Sequence, residues 1–128
     1  MTEAALQSNL PLVLLVDDEL RSLEAMRRAL DEDCRVLTAS DADTALALLA
    51  RHPVDVVLCD QRMPHTTGVA LLTQVRERWP DVVRIVISAY SDSRDIIAGI
   101  NEAGIFRYLL KPWSPDELLL AVQAGLHA

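Results

Sequence analysis

The sequence is short of several things, and each shortage excludes a class of protein. No apolar run approaches the roughly 20 residues needed to span a bilayer. Residues 1–11 have neither the basic start nor the apolar stretch of a secretion signal, and are expected to form a leader ahead of a domain at 12–128. Positive charge is scarce. Twelve Lys and Arg stand against 19 Asp and Glu, giving a net charge of −7. That argues against direct contact with a nucleic-acid backbone, which needs clustered cations. Only Cys34 and Cys59 represent cysteine. Both fall in expected strands, and no further Cys or nearby His completes a ligand set, so they read as reduced core thiols of a cytoplasmic protein. His52, His65 and His127 lie on different loops with no shared spacing and read as surface residues. There is no internal repeat and no low-complexity tract.

What is present is apolar residues, 51% of a 128-residue chain, enough for one domain around a single core. The chain is arranged around Val54-Asp55-Val56-Val57-Leu58-Cys59-Asp60-Gln61-Arg62-Met63-Pro64. Its β-branched run without helical spacing predicts a strand buried on both faces and stopped at Asp60, since Pro64 cannot continue a ladder. Before it, Leu12–Val16 is an apolar strand ending in Asp17-Asp18-Glu19. Leu20, Leu23, Met26 and Leu30 then recur at helical spacing. Arg35–Ala39 is a second strand, and Ser40 with Asp43 resembles a capping box for a helix striped by Ala42, Ala45, Leu46 and Leu49. After the central strand, Val69, Leu72 and Val75 mark a third helix running to Trp79-Pro80. Val82–Ile87 is a fourth strand ending at Ser88. Asp92–Ala103 is a helix with Ile96, Ile97 and Ile100 on one face and Gly104 closing it. Phe106–Leu110 is a fifth strand ending at Lys111-Pro112. Ser114-Pro115-Asp116-Glu117 starts a last helix through Leu118, Leu119, Val122 and Leu126.

Five strands alternating with helices predict a parallel sheet covered on both faces with right-handed crossovers. If the strands are parallel, Asp17, Asp18, Asp60, Ser88 and Lys111 all emerge at one edge, where open α/β sheets bind ligands. Repelling carboxylates are costly to gather unless a cation sits among them, and an oxygen-only ligand set beside a phosphate suits Mg²⁺. A carboxylate can then act as nucleophile towards a phosphoryl group, with Lys111 and Ser88 holding phosphoryl oxygens. Each group alone has an ordinary structural reading: an acidic helix start, a loop cap, a surface lysine. Their joint placement at the strand ends carries the argument.

At Leu14-Leu15-Val16-Asp17-Asp18-Glu19, Asp60-Gln61-Arg62-Met63-Pro64 with Gly68, Ser88-Ala89, and Tyr108-Leu109-Leu110-Lys111-Pro112, the sequence resembles the receiver domain of two-component response regulators. The matches span residues 12–126. The resemblance implies a flavodoxin-like (βα)5 doubly wound parallel sheet of order 2-1-3-4-5. It implies that Asp60 is the phosphoacceptor, and that Asp17, Asp18, Asp60 and the main-chain carbonyl of Arg62 hold Mg²⁺. Ser88 and Lys111 would contact the phosphoryl group, Ser88 and Tyr108 would form a switch, and the Lys111-Pro112 bond would be cis. The implied partners are a sensor histidine kinase, an output domain reached through the face of the fourth helix, fifth strand and fifth helix, and a possible homodimer. Phosphorylation would be a signal, not a turnover reaction.

Asp-Gln-Arg-Met-Pro, Lys111-Pro112-Trp113 and Glu77-Arg78-Trp79-Pro80 resemble receivers of NtrC-type transcription activators of the hydrogenase-regulator (HupR/HoxA-like) kind; similar signatures occur in receivers fused to HD-GYP cyclic-di-GMP phosphodiesterases. No Walker motif, helix-turn-helix or HD-GYP motif is present. With an output domain, this chain is a fragment ending near Ala128. Two alternatives stand beside the phosphoacceptor reading: a pseudo-receiver used only for docking or dimerisation, and a small enzyme. The Asp-x-Asp of haloacid-dehalogenase-type phosphatases is not matched by Asp17-Asp18-Glu19-Leu20. The phosphate loop of a flavodoxin would follow the first strand, whereas His65-Thr66-Thr67-Gly68 follows the third. Arg62 and Tyr90, at the two positions that tune dephosphorylation in the family, are bulky and poorly suited to orient an attacking water. They imply a long-lived phosphoryl group.

Overall fold

The computed structural model describes residues 9–128, without the side chains of Tyr90, Ser93, Asp95 and Ala98. Strands and helices alternate: β1 (Leu12–Val16), α1 (Leu20–Leu30), β2 (Arg35–Ala39), α2 (Ala42–Arg51), β3 (Val56–Asp60), α3 (Gly68–Arg78), β4 (Val83–Ser88), α4 (Ser93–Ala103), β5 (Arg107–Leu110) and α5 (Pro115–Leu126). A two-residue antiparallel ribbon, Arg62–Met63 against Thr66–Thr67, fills the β3–α3 connection, and a 3₁₀ turn at Tyr90–Asp92 precedes α4. The five main strands form one parallel sheet of order β2-β1-β3-β4-β5, the flavodoxin-like arrangement expected.

The sheet is buried on both sides, which explains why its strands read as unbroken apolar runs. Leu12, Leu14 and Val16 point to one side, where Val57, Cys59 and Val86 join residues of α2, α3 and α4. Val13 and Leu15 point to the other, where Val56, Leu58, Ile85 and Ile87 meet α1 and α5. Removing the Leu14 side chain beyond Cβ would cost about 2–5 kcal/mol, because a fully buried leucine leaves a cavity.

Local chemistry sets the helix ends. Ser114 accepts from the Glu117 N–H at 3.1 Å with Pro115 at the first helical position. Gly104 follows α4 at φ 60°, in the left-handed region where a side chain is strained. Four details differ from the sequence expectation. The cap of α2 is Asp41, whose Oδ1 accepts from Thr44 N–H at 2.7 Å, not its neighbour Ser40. Leu20 opens α1 at the carboxyl edge of the sheet and is 72% exposed. Ile97 is 67% exposed, because it lies about 100° around the helix from the fully buried Ile96 and both cannot face the core. Cys34 is buried but lies one residue before β2.

Candidate functional site

β1 and β3 are hydrogen-bonded neighbours, with Val16 in register with Cys59. The residues that follow, Asp17 and Asp18 on one strand and Asp60 on the other, therefore come out side by side. At this point the chain reverses its direction of winding, since β2 lies on one side of β1 and β3 on the other. Carboxylate oxygens of Asp17, Asp18 and Asp60 all lie within 4.8 Å of one another. Asp17 and Asp60 are buried, and Asp18 is exposed. The Asp17 carboxylate is held by the Glu19 N–H, donated to Oδ1 at 2.9 Å.

β4 and β5 deliver the other two groups. Ser88 ends β4, and its carbonyl accepts from the Lys111 N–H at 2.8 Å, so the two residues are fixed relative to each other through the main chain. The Lys111 ammonium stands 2.7 Å from Asp60 Oδ1. Lys111 is the only lysine in the sequence. The Lys111–Pro112 bond is cis. Tyr108, on β5, is half-buried and packs on the side of the sheet covered by α2, α3 and α4.

The electrostatics are those of a site short of positive charge. Burial pushes the Asp17 carboxyl up to about 6; the bond from Glu19 opposes this and the charge of Asp60 adds to it. Burial also raises Asp60, and the hydrogen-bonding and charge of Lys111 oppose the rise without cancelling it. Burial alone would lower the Lys111 ammonium, but its bond and charge interaction with Asp60, joined by Asp17 and Glu19, outweigh this and hold it above its ordinary value. Ser88 Oγ is fully buried and has no hydrogen-bond partner among the described residues, whereas the equally buried Asp60 Oδ1 is held by the Lys111 ammonium. A buried hydroxyl left in this way calls for an explanation, and a bound ligand supplies one. Three clustered carboxylates beside an unpartnered buried hydroxyl suit a hard dication with a phosphoryl group. A site for Mg²⁺ made by Asp17, Asp18 and Asp60 therefore fits the residues present.

Of the expected site residues, Asp17, Asp18, Asp60 and Lys111 come together, and Ser88 ends the neighbouring strand with its hydroxyl buried. Arg62 follows in the ribbon. Its side chain is 74% exposed and its Nε lies 2.7 Å from Oδ1 of Asp92, a buried carboxylate at the start of α4. The side chain of Tyr90 lies outside the described residues. Two participants carry little signal in the sequence. Asp92 read only as a helix start, since nothing local reveals a partner 30 residues away. Gln61 reads only as part of the motif around Asp60, although a polar residue next to a strand-end carboxylate is a signal of its own.

Residues 13–123 match the family model described as the response regulator receiver domain. The chain is 65% identical over 116 residues to the hydrogenase transcriptional regulatory protein HoxA of Cupriavidus necator, covering 91% of this chain and 24% of that protein. It is 57% identical over 114 residues to the protein of the same name from Bradyrhizobium diazoefficiens, covering 89% and 24%. The chain thus spans about a quarter of the length of these relatives. Among solved structures, the signal receiver domain of an HD domain-containing protein from Pseudomonas fluorescens superposes with a TM-score of 0.87 at 36% identity, covering 92% of this chain and 88% of that one.

Proposed function

This chain belongs to the response regulator receiver domain family, and from that premise we propose that Asp60 accepts a phosphoryl group from a sensor histidine kinase in a Mg²⁺-dependent reaction. The observation that carries this reading is the convergence of the Asp17, Asp18 and Asp60 carboxylates within 4.8 Å, with the Lys111 ammonium 2.7 Å from the proposed nucleophile. An oxygen of Asp60 attacks phosphorus as the bond to the donor's nitrogen breaks. Lys111, held charged by its acidic neighbours, follows the phosphoryl oxygens as negative charge builds on them. Ser88 Oγ, buried and unpartnered, donates to another of these oxygens. Asp17, Asp18, Asp60 and the carbonyl of Arg62 would hold Mg²⁺, which supplies neutralisation of phosphoryl charge when bound. Tyr108 then responds to the repositioned Ser88 hydroxyl as the switch residue.

The signal leaves through α4, β5 and α5, where Ile97, Leu110 and Leu120 are exposed apolar side chains. Its destination in this proposal is a transcription-regulating output domain in a cytoplasmic protein, with a homodimer through the same face. The 65% identity to a hydrogenase regulator favours this over a phosphodiesterase output, which the 36% likeness to the HD-protein receiver supports less. The Arg62 guanidinium is engaged with Asp92, which supports a long-lived phosphoryl group; decay within seconds in Mg²⁺ would refute it. The decisive experiment is treatment with acetyl phosphate, with and without Mg²⁺, followed by intact mass on the wild type and Asp60→Asn. One added phosphoryl group that requires both Mg²⁺ and Asp60 is expected. If the chain stays unmodified, and beryllofluoride with Mg²⁺ also leaves Trp113 fluorescence unchanged, it is a docking module instead.

A further inference from the structure

Gln61 stands between the proposed phosphoacceptor, Asp60, and the residue whose carbonyl would complete the metal site, Arg62. It is buried, at 3% exposure. The first N–H groups of a helix have no partner within it. In α3 three consecutive ones are met from the preceding loop, two of them by Gln61. Its main-chain carbonyl accepts from Gly68 N–H at 2.9 Å, and its side-chain Oε1 accepts from Val69 N–H at 3.0 Å. Thr67 Oγ1 takes the third, from Ala70, at 3.1 Å. On its other side, the Gln61 N–H donates at 2.8 Å to the carbonyl of Ile87, the residue before Ser88. One residue thus ties the end of β4 to the start of α3, and the site residues Asp60 and Arg62 flank the knot. The fit is close as well as bonded: a Cβ on Gly68 would lie 2.6 Å from the Asp60 carbonyl oxygen and 3.1 Å from Gln61 Cα.

We propose that Gln61 is a positioning residue: its side-chain amide oxygen, by fastening the first turn of α3, sets the places of Asp60 and the Arg62 carbonyl as Mg²⁺ ligands. The inference rests on reading the site as Mg²⁺-binding. Metal sites demand ligands within about 0.2 Å of their places. Without the acceptor, the Val69 N–H loses its partner and the loop is free to settle elsewhere. A carboxylate there would satisfy the same N–H but add a fourth negative charge beside Asp60, which accounts for an amide at this position.

The test is a titration with MgCl₂ alone, followed by tryptophan fluorescence, since Trp113 lines the groove shared by Asp17 and Lys111. Gln61→Met, similar in length but without an acceptor, is expected to bind Mg²⁺ about tenfold or more weakly, the usual loss when a group that orients a metal ligand is removed. Gln61→Glu keeps the acceptor and is expected to bind within about threefold of wild type or more tightly. Val75→Ala, which opens the buried core under the same helix far from the ligands, is expected to bind as wild type does. Equal binding by Gln61→Met and wild type overturns the inference alone. So does an equal loss in Val75→Ala, which would assign the effect to general loosening of α3, or in Gln61→Glu, which would remove the acceptor from the argument. Should Gln61→Met fail to fold, Gln61→Asn, one methylene short of Val69, carries the same comparison. A wild type that binds no Mg²⁺ overturns the metal reading beneath the proposal, and the proposal with it.

Discussion

Replacing Asp17 by Asn should stabilise the metal-free protein at neutral pH, although it removes a site residue. The amide keeps an oxygen for the Glu19 N–H and discards only the charge. Burial holds the Asp17 carboxyl at about 6 in the folded chain against 3.8 for an ordinary aspartate. Between about pH 4 and pH 6 the folded state therefore binds more protons than the unfolded state. Stability falls as pH rises through that window, and the full penalty is present above it. At about 1.4 kcal/mol per pH unit the displacement is worth about 3 kcal/mol. Water reaching the cluster beside the exposed Asp18 screens this to about 1–2 kcal/mol. Urea unfolding in EDTA should thus show Asp17→Asn more stable by about 1–2 kcal/mol at pH 7.5, with the gain largely gone at pH 4.5. In 10 mM MgCl₂ the order should narrow or reverse, because only a chain that binds the ion gains by mass action. Asp17→Asn destabilised at pH 7.5 in EDTA, or equally shifted at both pH values, would refute the reasoning.

Two further expectations separate chemistry from stability. Ser88→Ala removes a buried hydroxyl that has no partner, so the melting temperature should stay within a few degrees of wild type, while the fluorescence response to beryllofluoride with Mg²⁺ is lost. Gly68→Ala drives a Cβ against the Asp60 carbonyl oxygen and should cost about 1–3 kcal/mol in urea unfolding, with slower phosphorylation at temperatures where it is folded.

Much of this was legible because parallel strands have only one carboxyl edge. Once Leu12–Val16, the run from Val54 to Asp60, Val82–Ile87 and Phe106–Leu110 read as parallel strands, the acids, hydroxyl and ammonium at their ends had to share a side of the molecule. The sequence is less informative about which of two neighbours does a job. Ser40 and Asp41 are both good caps, and only the geometry gives the Thr44 N–H to Asp41. Apolar spacing also overcounts. Leu20 and Ile97 extend a helical stripe on paper but lie at its end or shoulder, where no element among the described residues covers them. Long-range polar pairs leave no local trace, so neither the Arg62–Asp92 ion pair nor the reach of Gln61 to Val69 could be read beforehand.

Among the described residues, the two ends of α4 are fastened differently. At its carboxyl end, Arg76 from α3 donates to the carbonyls of Asn101 and Glu102, and Arg84 from β4 donates to those of Ala103 and Gly104. At its amino end, Asp92 makes no side-chain cap bond to the helix and meets the exposed guanidinium of Arg62 instead. Such a rod has a fulcrum. Eleven residues at about 1.5 Å each make a lever of about 16 Å. A tilt of about 10° about the arginine-held end swings the first turn through about 3 Å and leaves the last turn almost still. A tilt of this kind would be greatest at the end joined to Ser88, and the exposed Ile97 would ride on that half.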